Sequence, residues 1–303
     1  MDRRTHHHHL KAPARCSSSD NKTDKASTSG KNPSSSLHPP PLFKFGLLAD
    51  IQYCDTDDRT NFSGSQVRRY RNALNVARNA VEHFNLHHHE LEEDTTTLNN
   101  TTTGGARSAK TRGIDFIVHN GDIIDHQCAF DFQTDSFKPI SEGRRQLADV
   151  MEILDRSACR EWIFTIGNHE LYNFTRRELI DGVDLKKEGI ESYSKDGLTF
   201  KCASEDGDLY YAKKPHEKWK VIILNPYDVS IYSKGREQGL DEEALSLLRK
   251  HNPNADKWCD ENPDVVQTER MSGTFPYFKD LEGLNGRWVP FNGGVGATQL
   301  EWL

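Results

Sequence analysis

Short apolar runs alternate with segments of helical periodicity from residue 43 onward. Four of these runs predict buried β-strands, at 43–49, 114–118, 162–166 and 221–224. Apolar side chains that recur every three or four residues predict amphipathic helices at 67–84, 147–154 and 244–251. Because strands that alternate with helices form βαβ units, the chain is expected to be an α/β protein built around a largely buried sheet.

Two polar stretches lack this periodicity. Residues 1–41 are rich in Ser, Lys, Pro and His and predict a disordered leader ahead of a domain at 42–303. Residues 86–110 contain histidines, acidic residues and Thr/Asn repeats and predict a solvated, low-complexity insertion in that domain. The histidine runs at 6–9 and 87–89 are interpreted as incidental.

Composition and charge limit the binding partners, the kind of metal site and the cellular location that the chain is expected to have. The net charge of -7 argues against a nucleic-acid or anionic-membrane binder, since such proteins need a basic surface. No apolar run approaches the ~20 residues that span a bilayer, and residues 1–40 show no secretory signal. The six cysteines form no C-x-x-C pair, which disfavours a thiolate zinc site. The expected location is the cytoplasm.

Three of the predicted strands end in polar side chains. The strands lead into Asp50-Ile51-Gln52, Asn120-Gly121-Asp122-Ile123-Ile124-Asp125 and Gly167-Asn168-His169-Glu170. In an open α/β sheet, ligands bind beyond the carboxyl ends of the strands, so the three segments are expected to meet at one rim. One Asp after a strand is also a common helix N-cap. It is the combination of three such segments that predicts a functional site.

The rim is suited to divalent metal ions. Carboxylate and amide oxygens are ligands that suit Mn²⁺ or Mg²⁺, and four residues offer them: Asp50, Gln52, Asp122 and Asn168. Asp122 is the predicted bridge between two ions, since ions about 3.5–4 Å apart can clamp the attacking and leaving oxygens of phosphoryl transfer. His169 is predicted to be catalytic, donating a proton or hydrogen bond to the phosphate. Asp125 is predicted to fix its tautomer.

The order D-x-Q, G-D-x-x-D and G-N-H-E resembles that of the calcineurin-like metallophosphoesterases. Most of that superfamily has D-x-H at the first motif, and Gln52 is typical of its manganese-dependent ADP-ribose/CDP-alcohol diphosphatase branch. Other segments also look like that branch, including 61–64, 68–71, 227–230, 248–254 and 291–294.

The resemblance implies a metallophosphoesterase-type layered sheet core flanked by helices. It implies metal ligation by Asp50, Gln52, Asp122 and Asn168, with two Mn²⁺ (or Mg²⁺) ions per complete site. The implied reaction is hydrolysis of the diphosphate bond in ADP-ribose, CDP-alcohols and related small nucleoside diphosphate derivatives, which releases a nucleoside monophosphate.

Two substrate-binding residues are predicted with structural alternatives beside them. Phe62 is predicted to stack on the base, or else to be an ordinary core phenylalanine. Arg176 is predicted to pair with phosphate, or else to be a surface or salt-bridging arginine. Neither assignment is decided by the sequence.

The sequence departs from the family pattern downstream of His169. The family has a further metal-binding His after a later strand and then a G-H-x-H pair, whereas only His216 and His251 follow here and neither fits. The domain is therefore expected to be incomplete at its C-terminal end, with apolar faces left open there. Thr298-Gln299-Leu300-Glu301 also matches a capping box, which predicts the start of a helix at Thr298.

Two other functions stay open at this point. One is a phosphomonoesterase or cyclic phosphodiesterase of the same superfamily, against which Gln52 argues. The other is an inactive fragment or binding protein that lacks the second-metal histidines. Against this stand the intact Asp50, Asp122, Asn168 and His169.

Overall fold

A computed structural model describes the chain at residues 41–61, 64–93, 113–131, 133–134, 136–185, 198–236, 241–255 and 278–303. The strands are β1 (Phe45–Leu48), β2 (Arg59–Thr60), β3 (Val67–Arg68), β4 (Phe116–His119), β5 (Phe130–Asp131), β6 (Ser136–Phe137), β7 (Trp162–Phe164), β8 (Tyr211–His216) and β9 (Trp219–Ile223). The α-helices are α1 (Ala73–Glu93), α2 (Ile140–Leu154), α3 (Asn168–Asn173), α4 (Arg176–Asp181), α5 (Glu242–His251) and α6 (Ala297–Trp302). Short 3₁₀ helices lie at His126–Cys128 and Gly283–Arg287.

A three-stranded parallel sheet positions the predicted rim. Its order is β1-β4-β7, with Phe45 opposite Phe116 and Ile117 opposite Trp162. The central strand is the most deeply buried, and Ile117 has no exposed surface. Since all three strands run in the same direction, their carboxyl ends lie along one edge of the sheet. The predicted α/β class is confirmed.

The fourth predicted strand is present but lies in a separate sheet. It is β9, which pairs antiparallel with β8, with Tyr211 opposite Ile223. Only residues 217–218 separate the two strands, and a connection this short joins antiparallel neighbours, since a parallel pair needs a crossover of a dozen or more residues. The expectation of a βαβ unit is therefore wrong for this strand.

The two long helices pack against each other and supply much of the core. Ala77 and Val81 of α1 and Leu147 and Val150 of α2 are buried in the same cluster. The predicted start of the first helix at 67 is wrong, because Val67–Arg68 pairs with Arg59–Thr60 as a short hairpin and the helix begins at Ala73.

The same helix continues beyond its predicted end at residue 84. It runs to Glu93, so the first residues of the stretch predicted as a loop insertion are helical. Most of the remaining insertion, and the predicted leader up to residue 40, lie outside the described residues. Residues Pro40–Leu303 form one compact unit.

Helix α6 begins before the predicted capping box. Its N-cap is Gly296 rather than Thr298, and no side chain caps it. The start is set instead by the buried Gln299, which exchanges two hydrogen bonds with the backbone of Asn225. Its Nε2 also donates to Asp228 Oδ2, which accepts from Gly296 N as well. These contacts fasten α6 to the segment that follows β9.

Large apolar side chains are exposed on several of the described elements. They include Phe45 and Leu47 on β1, Leu284 in the second 3₁₀ helix, and Leu300 and Trp302 on α6. None of the helices within the described ranges is both long and apolar enough to cross a bilayer.

Candidate metal centre

The turns that follow β1 and β4 hold three predicted ligands in an uncommon backbone conformation. Asp50, Gln52 and Asp122 have φ angles of 54°, 46° and 58°. The left-handed region costs a residue with a side chain of the order of 1 kcal/mol, and such residues concentrate at functional sites. Among the described residues only one other non-glycine residue, Asp280, has a positive φ. The strain is therefore concentrated at the predicted site.

Backbone hydrogen bonds lock the two turns together. Asp50 N donates to Gly121 O at 3.3 Å, and Gln52 N donates to Asp122 O at 2.9 Å. This pattern extends the pairing of β1 with β4 beyond the ends of both strands. The side chains of the two turns consequently share one side of the rim.

Three of the predicted ligands touch one another. Gln52 Nε2 lies 3.4 Å from Asp50 Oδ1 and 3.4 Å from Asp122 Oδ2. Burial raises the pKa of Asp50 and the charge of Asp122 raises it further. The amide N–H group of Gln52 is thus the positive partner between two carboxylates, the position that also suits a cation. Oxygen donors gathered in this way fit a hard divalent ion such as Mn²⁺ or Mg²⁺.

Two glycines allow the turns after β4 and β7 to approach each other. A Cβ at Gly121, whose φ is 79°, would lie 2.6 Å from the backbone nitrogen of Gly167. A Cβ at Gly167 would in turn lie 2.7 Å from the backbone nitrogen of Asp122. Both distances are too short for real contacts, so only glycine fits at these two positions.

Glu170 holds the turns after β4 and β7 together, a role that the sequence did not reveal. Its fully buried carboxylate accepts backbone N–H bonds from Asp122, Ile123 and Gly167, each at 2.8 Å. Burial raises the pKa of Glu170 to about 8, and the charge of Asp122 adds to this, although the three N–H donors oppose it. The G-N-H-E motif itself was the available signal, since its fourth residue is a carboxylate beside the rim.

Asn168, the fourth predicted ligand, is held by two tyrosines. Its Nδ2 donates to the hydroxyl of Tyr172 at 3.0 Å, and the hydroxyl of Tyr227 donates to its Oδ1 at 3.3 Å. The next residue, His169, donates its backbone N–H to Asp122 Oδ1 at 3.1 Å. The start of α3 is thereby attached directly to the predicted bridging carboxylate.

The ring of His169 is oriented by the backbone and not by Asp125. His169 Nδ1 accepts the backbone N–H of His126 at 2.9 Å, whereas Asp125 Oδ2 lies 3.7 Å away, beyond hydrogen-bonding distance. In the neutral ring the proton therefore resides on Nε2. Burial lowers the pKa of His169, and the positive charges of His126 and Arg68 lower it further, although Asp122 and Asp125 oppose this. The ring is thus kept neutral with one N–H to donate.

Asp125 is paired with other groups. Its Oδ1 lies 3.0 Å from His126 Nδ1 and accepts from Gln127 N, while its Oδ2 lies 3.2 Å from Arg68 Nη1. Burial raises the pKa of Asp125, but the charges and hydrogen bonds of these partners outweigh burial and hold the pKa well below its usual range.

Asp125, His126 and His169 also place ligand atoms within 4.8 Å of one another. Their internal pairing explains this proximity, since the carboxylate is ion-paired with Arg68 and lies 3.0 Å from His126 Nδ1. Neither Arg68 nor His126 was singled out from the sequence.

Of the two predicted substrate-binding residues, the structure describes only Arg176. Phe62 lies outside the described residues. Arg176 is the first residue of α4, and its Nη1 donates to the carbonyl oxygen of Ser233 at 2.7 Å. Within the described part of the chain no hydrogen bond or ion pair joins its side chain to the rim, so the geometry favours the structural alternative for Arg176.

Comparison with known proteins agrees with this geometry. Residues 43–277 match the family of calcineurin-like phosphoesterases, which is most of the chain. The chain belongs to this family. Membership accounts for the three-stranded parallel sheet with its helices and supports a hydrolase that uses metal.

Individual phosphoesterases point to one branch of the family. The chain is 29% identical over 264 residues to the manganese-dependent ADP-ribose/CDP-alcohol diphosphatase of Arabidopsis thaliana, covering 87% of this chain and 62% of that protein. It is 27% identical over 265 residues to the Bos taurus protein of the same name, covering 86% and 61%.

A crystal structure of a dimetal phosphatase from Danio rerio is similar at a TM-score of 0.54 and 26% identity, covering 86% of this chain and 63% of that one. This phosphoesterase thus spans about three fifths of the length of these relatives.

Proposed function

We propose that this phosphoesterase hydrolyses the diphosphate bond of small nucleoside diphosphate derivatives such as ADP-ribose and CDP-alcohols, releasing a nucleoside monophosphate. The proposed cofactor is a pair of Mn²⁺ ions, with Mg²⁺ as the substitute, and no nucleic acid or membrane is a proposed partner. The observation that carries the proposal is the contact among Asp50, Gln52 and Asp122 at the ends of adjacent strands. The names of the relatives support the substrate class.

Each residue of the rim has a defined task in this proposal. Asp50, Gln52, Asp122 and Asn168 would hold the ions, with Asp122 between them. Bound divalent ions would supply positive charge that polarises the diphosphate and acidifies water. Metal-ion electrostatics of this kind suits phosphoryl transfer, in which little covalent chemistry is left to the protein.

His169 would donate a hydrogen bond to the substrate and not a proton, since a neutral imidazole does not release its N–H proton near neutral pH. Because its Nδ1 accepts a backbone N–H, its Nε2–H is the donor available for an oxygen of the departing phosphate. Its low pKa makes the neutral ring the resting form at neutral pH. We propose that Asp125 acts indirectly, by holding His126, whose backbone N–H positions the His169 ring.

The proposed compartment is the cytoplasm. Cys54, Cys128, Cys159 and Cys202 are buried and unpaired in the described part of the chain. Reduced cysteines of this kind fit a compartment in which thiols are kept reduced.

A hydrolysis assay on the full chain tests the proposal. With Mn²⁺ present, ADP-ribose should yield AMP and CDP-choline should yield CMP, both followed by chromatography, and a chelator should abolish both reactions. Asp122→Asn should lower the rate by more than about 100-fold, since loss of a bridging ligand exceeds the 10–100-fold effect of partners that lie behind ligands. Asp57→Asn is the matched control, because the Asp57 side chain is 90% exposed and should be dispensable.

Two outcomes would contradict the proposal. Hydrolysis of p-nitrophenyl phosphate or a cyclic nucleotide without release of AMP would favour the phosphomonoesterase or cyclic phosphodiesterase alternative. Binding of Mn²⁺ and ADP-ribose without any turnover would favour a binding protein.

A further inference from the structure

We propose that Tyr172 and Tyr227 are positioning residues that clamp the amide of Asn168 in place, so that its oxygen can bind a divalent cation. The inference rests on the metal centre of the proposed function and adds the residues that make Asn168 a competent ligand. It concerns the affinity for metal, and its test does not depend on turnover.

The two hydrogen bonds hold both ends of the amide. Asn168 Nδ2 donates to the Tyr172 hydroxyl at 3.0 Å, and the Tyr227 hydroxyl donates to Asn168 Oδ1 at 3.3 Å. Bonds at both ends fix the place and the plane of the amide, and losing either hydroxyl frees one end of it.

The clamp leaves the oxygen able to bind metal. A carbonyl oxygen has two lone pairs, so Asn168 Oδ1 can accept from Tyr227 and still offer one lone pair to an ion. Partners that lie behind a ligand orient it, and losing them costs about 10–100-fold in metal affinity.

Tyr172 is itself fixed by its surroundings. It lies one turn after Asn168 on the same short helix, so the Asn168 bond joins neighbouring positions of one helix face. Its ring meets Tyr232 edge-on, with centroids 4.9 Å apart, and lies 5.5 Å from the ring of His169. Tyr172→Phe keeps these ring contacts and removes only the hydroxyl.

Tyr227 reaches the site from a distant part of the chain. It follows β9, and its backbone N–H donates to Oδ1 of the buried Asn225 at 3.0 Å. Gly293 packs against Tyr227, and a Cβ at Gly293 would lie only 2.9 Å from the Tyr227 ring. The segment after β9 thereby becomes a fourth contributor to the metal rim, beside the three strand ends.

The test measures the Mn²⁺ affinity of the full chain by titration calorimetry without substrate, in parallel with the thermal midpoint of the metal-free protein. Tyr172→Phe and Tyr227→Phe should each bind Mn²⁺ about 10–100-fold more weakly than the parent. Tyr53→Phe is the matched control. It removes a comparable hydrogen bond, in which the Tyr53 hydroxyl donates to Oδ2 of Asp149, a residue of α2, at 3.1 Å. Its affinity should stay within about twofold, since α2 supplies none of the predicted ligands.

Each outcome decides the inference. Unchanged affinity in Tyr172→Phe overturns it, and so does a parent chain that binds no Mn²⁺. A loss of affinity in all three variants that follows their loss of metal-free stability shows a merely structural role and also overturns it. Weaker binding confined to Tyr172→Phe and Tyr227→Phe supports it, even if the parent fails to hydrolyse ADP-ribose, a failure that would count against the proposed function alone.

Discussion

Replacing Glu170 by Gln should destabilise the fold and disturb the rim at the same time. The carboxylate accepts three backbone N–H bonds, from Asp122 and Gly167 at Oε2 and from Ile123 at Oε1. A glutamine has only one acceptor oxygen. The best arrangement of the substituted side chain keeps the two bonds at the Oε2 position and turns its own NH₂ group toward Ile123 N, so that two buried donors face each other.

The magnitude follows from what is lost. Because the pKa of Glu170 is about 8, the comparison is made at about pH 9, where its hydrogen bonds have a charged acceptor. Hydrogen bonds to charged groups contribute roughly 1.5–3 kcal/mol each, and an unsatisfied buried donor costs roughly 1–3 kcal/mol. At least one bond is lost and one buried N–H is left without an acceptor, so Glu170→Gln should lower the free energy of unfolding by about 3 kcal/mol. The bond from Asp122 N to Glu170 holds Asp122 in its left-handed conformation. Glu170→Gln should therefore also lower the affinity of the chain for Mn²⁺.

The measurement is urea unfolding of the metal-free chain, followed by tryptophan fluorescence. Glu152→Gln is the control, since Glu152 makes only an exposed ion pair with Arg156, worth about 0.3–0.5 kcal/mol. A Glu170→Gln protein as stable as the control would show that the three bonds do not hold the turns, and that the left-handed geometry of Asp122 has another cause.

Two more predictions concern the same sheet edge. Burial lowers the pKa of His119 to about 3 from an ordinary 6.5, so the unfolded chain alone binds a proton between these values. The free energy of unfolding should therefore fall as the pH drops below 6.5, by about 2 kcal/mol at pH 5. Urea titrations of His119→Leu should lack this contribution. A His119→Leu protein with the same pH dependence as the parent would contradict the prediction. Gly167→Ala should cost about 1–3 kcal/mol and weaken Mn²⁺ binding, because its Cβ would collide with Asp122 and Glu170. In the same unfolding assay Gly286→Ala, which meets nothing within 4 Å, should be neutral, and equal effects at both positions would refute the steric reasoning.

The strand ends were predictable because local sequence and global fold agree there. The runs 114–118 and 162–166 are apolar except for Asp115 and Thr165, as is typical of strands covered on both faces, and each is followed within four residues by a glycine and a predicted ligand. Parallel pairing then leaves little freedom in where the ligands meet. The order β1-β4-β7 places the three motifs on neighbouring strands.

The start of the first helix was misjudged because periodicity cannot separate two causes of burial. Val67 and Tyr70 match the helical spacing of Leu74 and Ala77, yet Val67 pairs with Thr60 in a hairpin and Tyr70 lies in the turn before α1. Tyr70 is buried all the same, at 4% exposure, since the turn presses its ring into the core. Tyr70 is thus buried as the spacing predicts but is not helical, whereas Val67 is 59% exposed and lies in a strand.

The partners behind the ligands could not be found from sequence, because they are defined by distance in the fold. Tyr227 lies 59 residues from Asn168, in the segment after β9, and nothing in its local sequence marks it as a hydrogen-bond donor to that amide. The same holds for Arg68, which reaches Asp125 across 57 residues. Asp125 is predicted to act on His169 because it lies three residues after Asp122, but in the fold the backbone N–H of His126 lies closer to the His169 ring.

Backbone strain at the rim is supported by several contacts between protein groups. Three left-handed residues at roughly 1–2 kcal/mol each are costly in a protein whose net stability is about 5–15 kcal/mol. They persist because three sets of contacts act on the same few residues, namely the backbone bonds between the two turns, the close approach of Gly121 to Gly167 and the three bonds to Glu170. These contacts hold the carboxylates of Asp50 and Asp122 on either side of the Gln52 amide. A bound cation would relieve the repulsion between the two carboxylates, so the strain at the rim favours binding of a divalent ion.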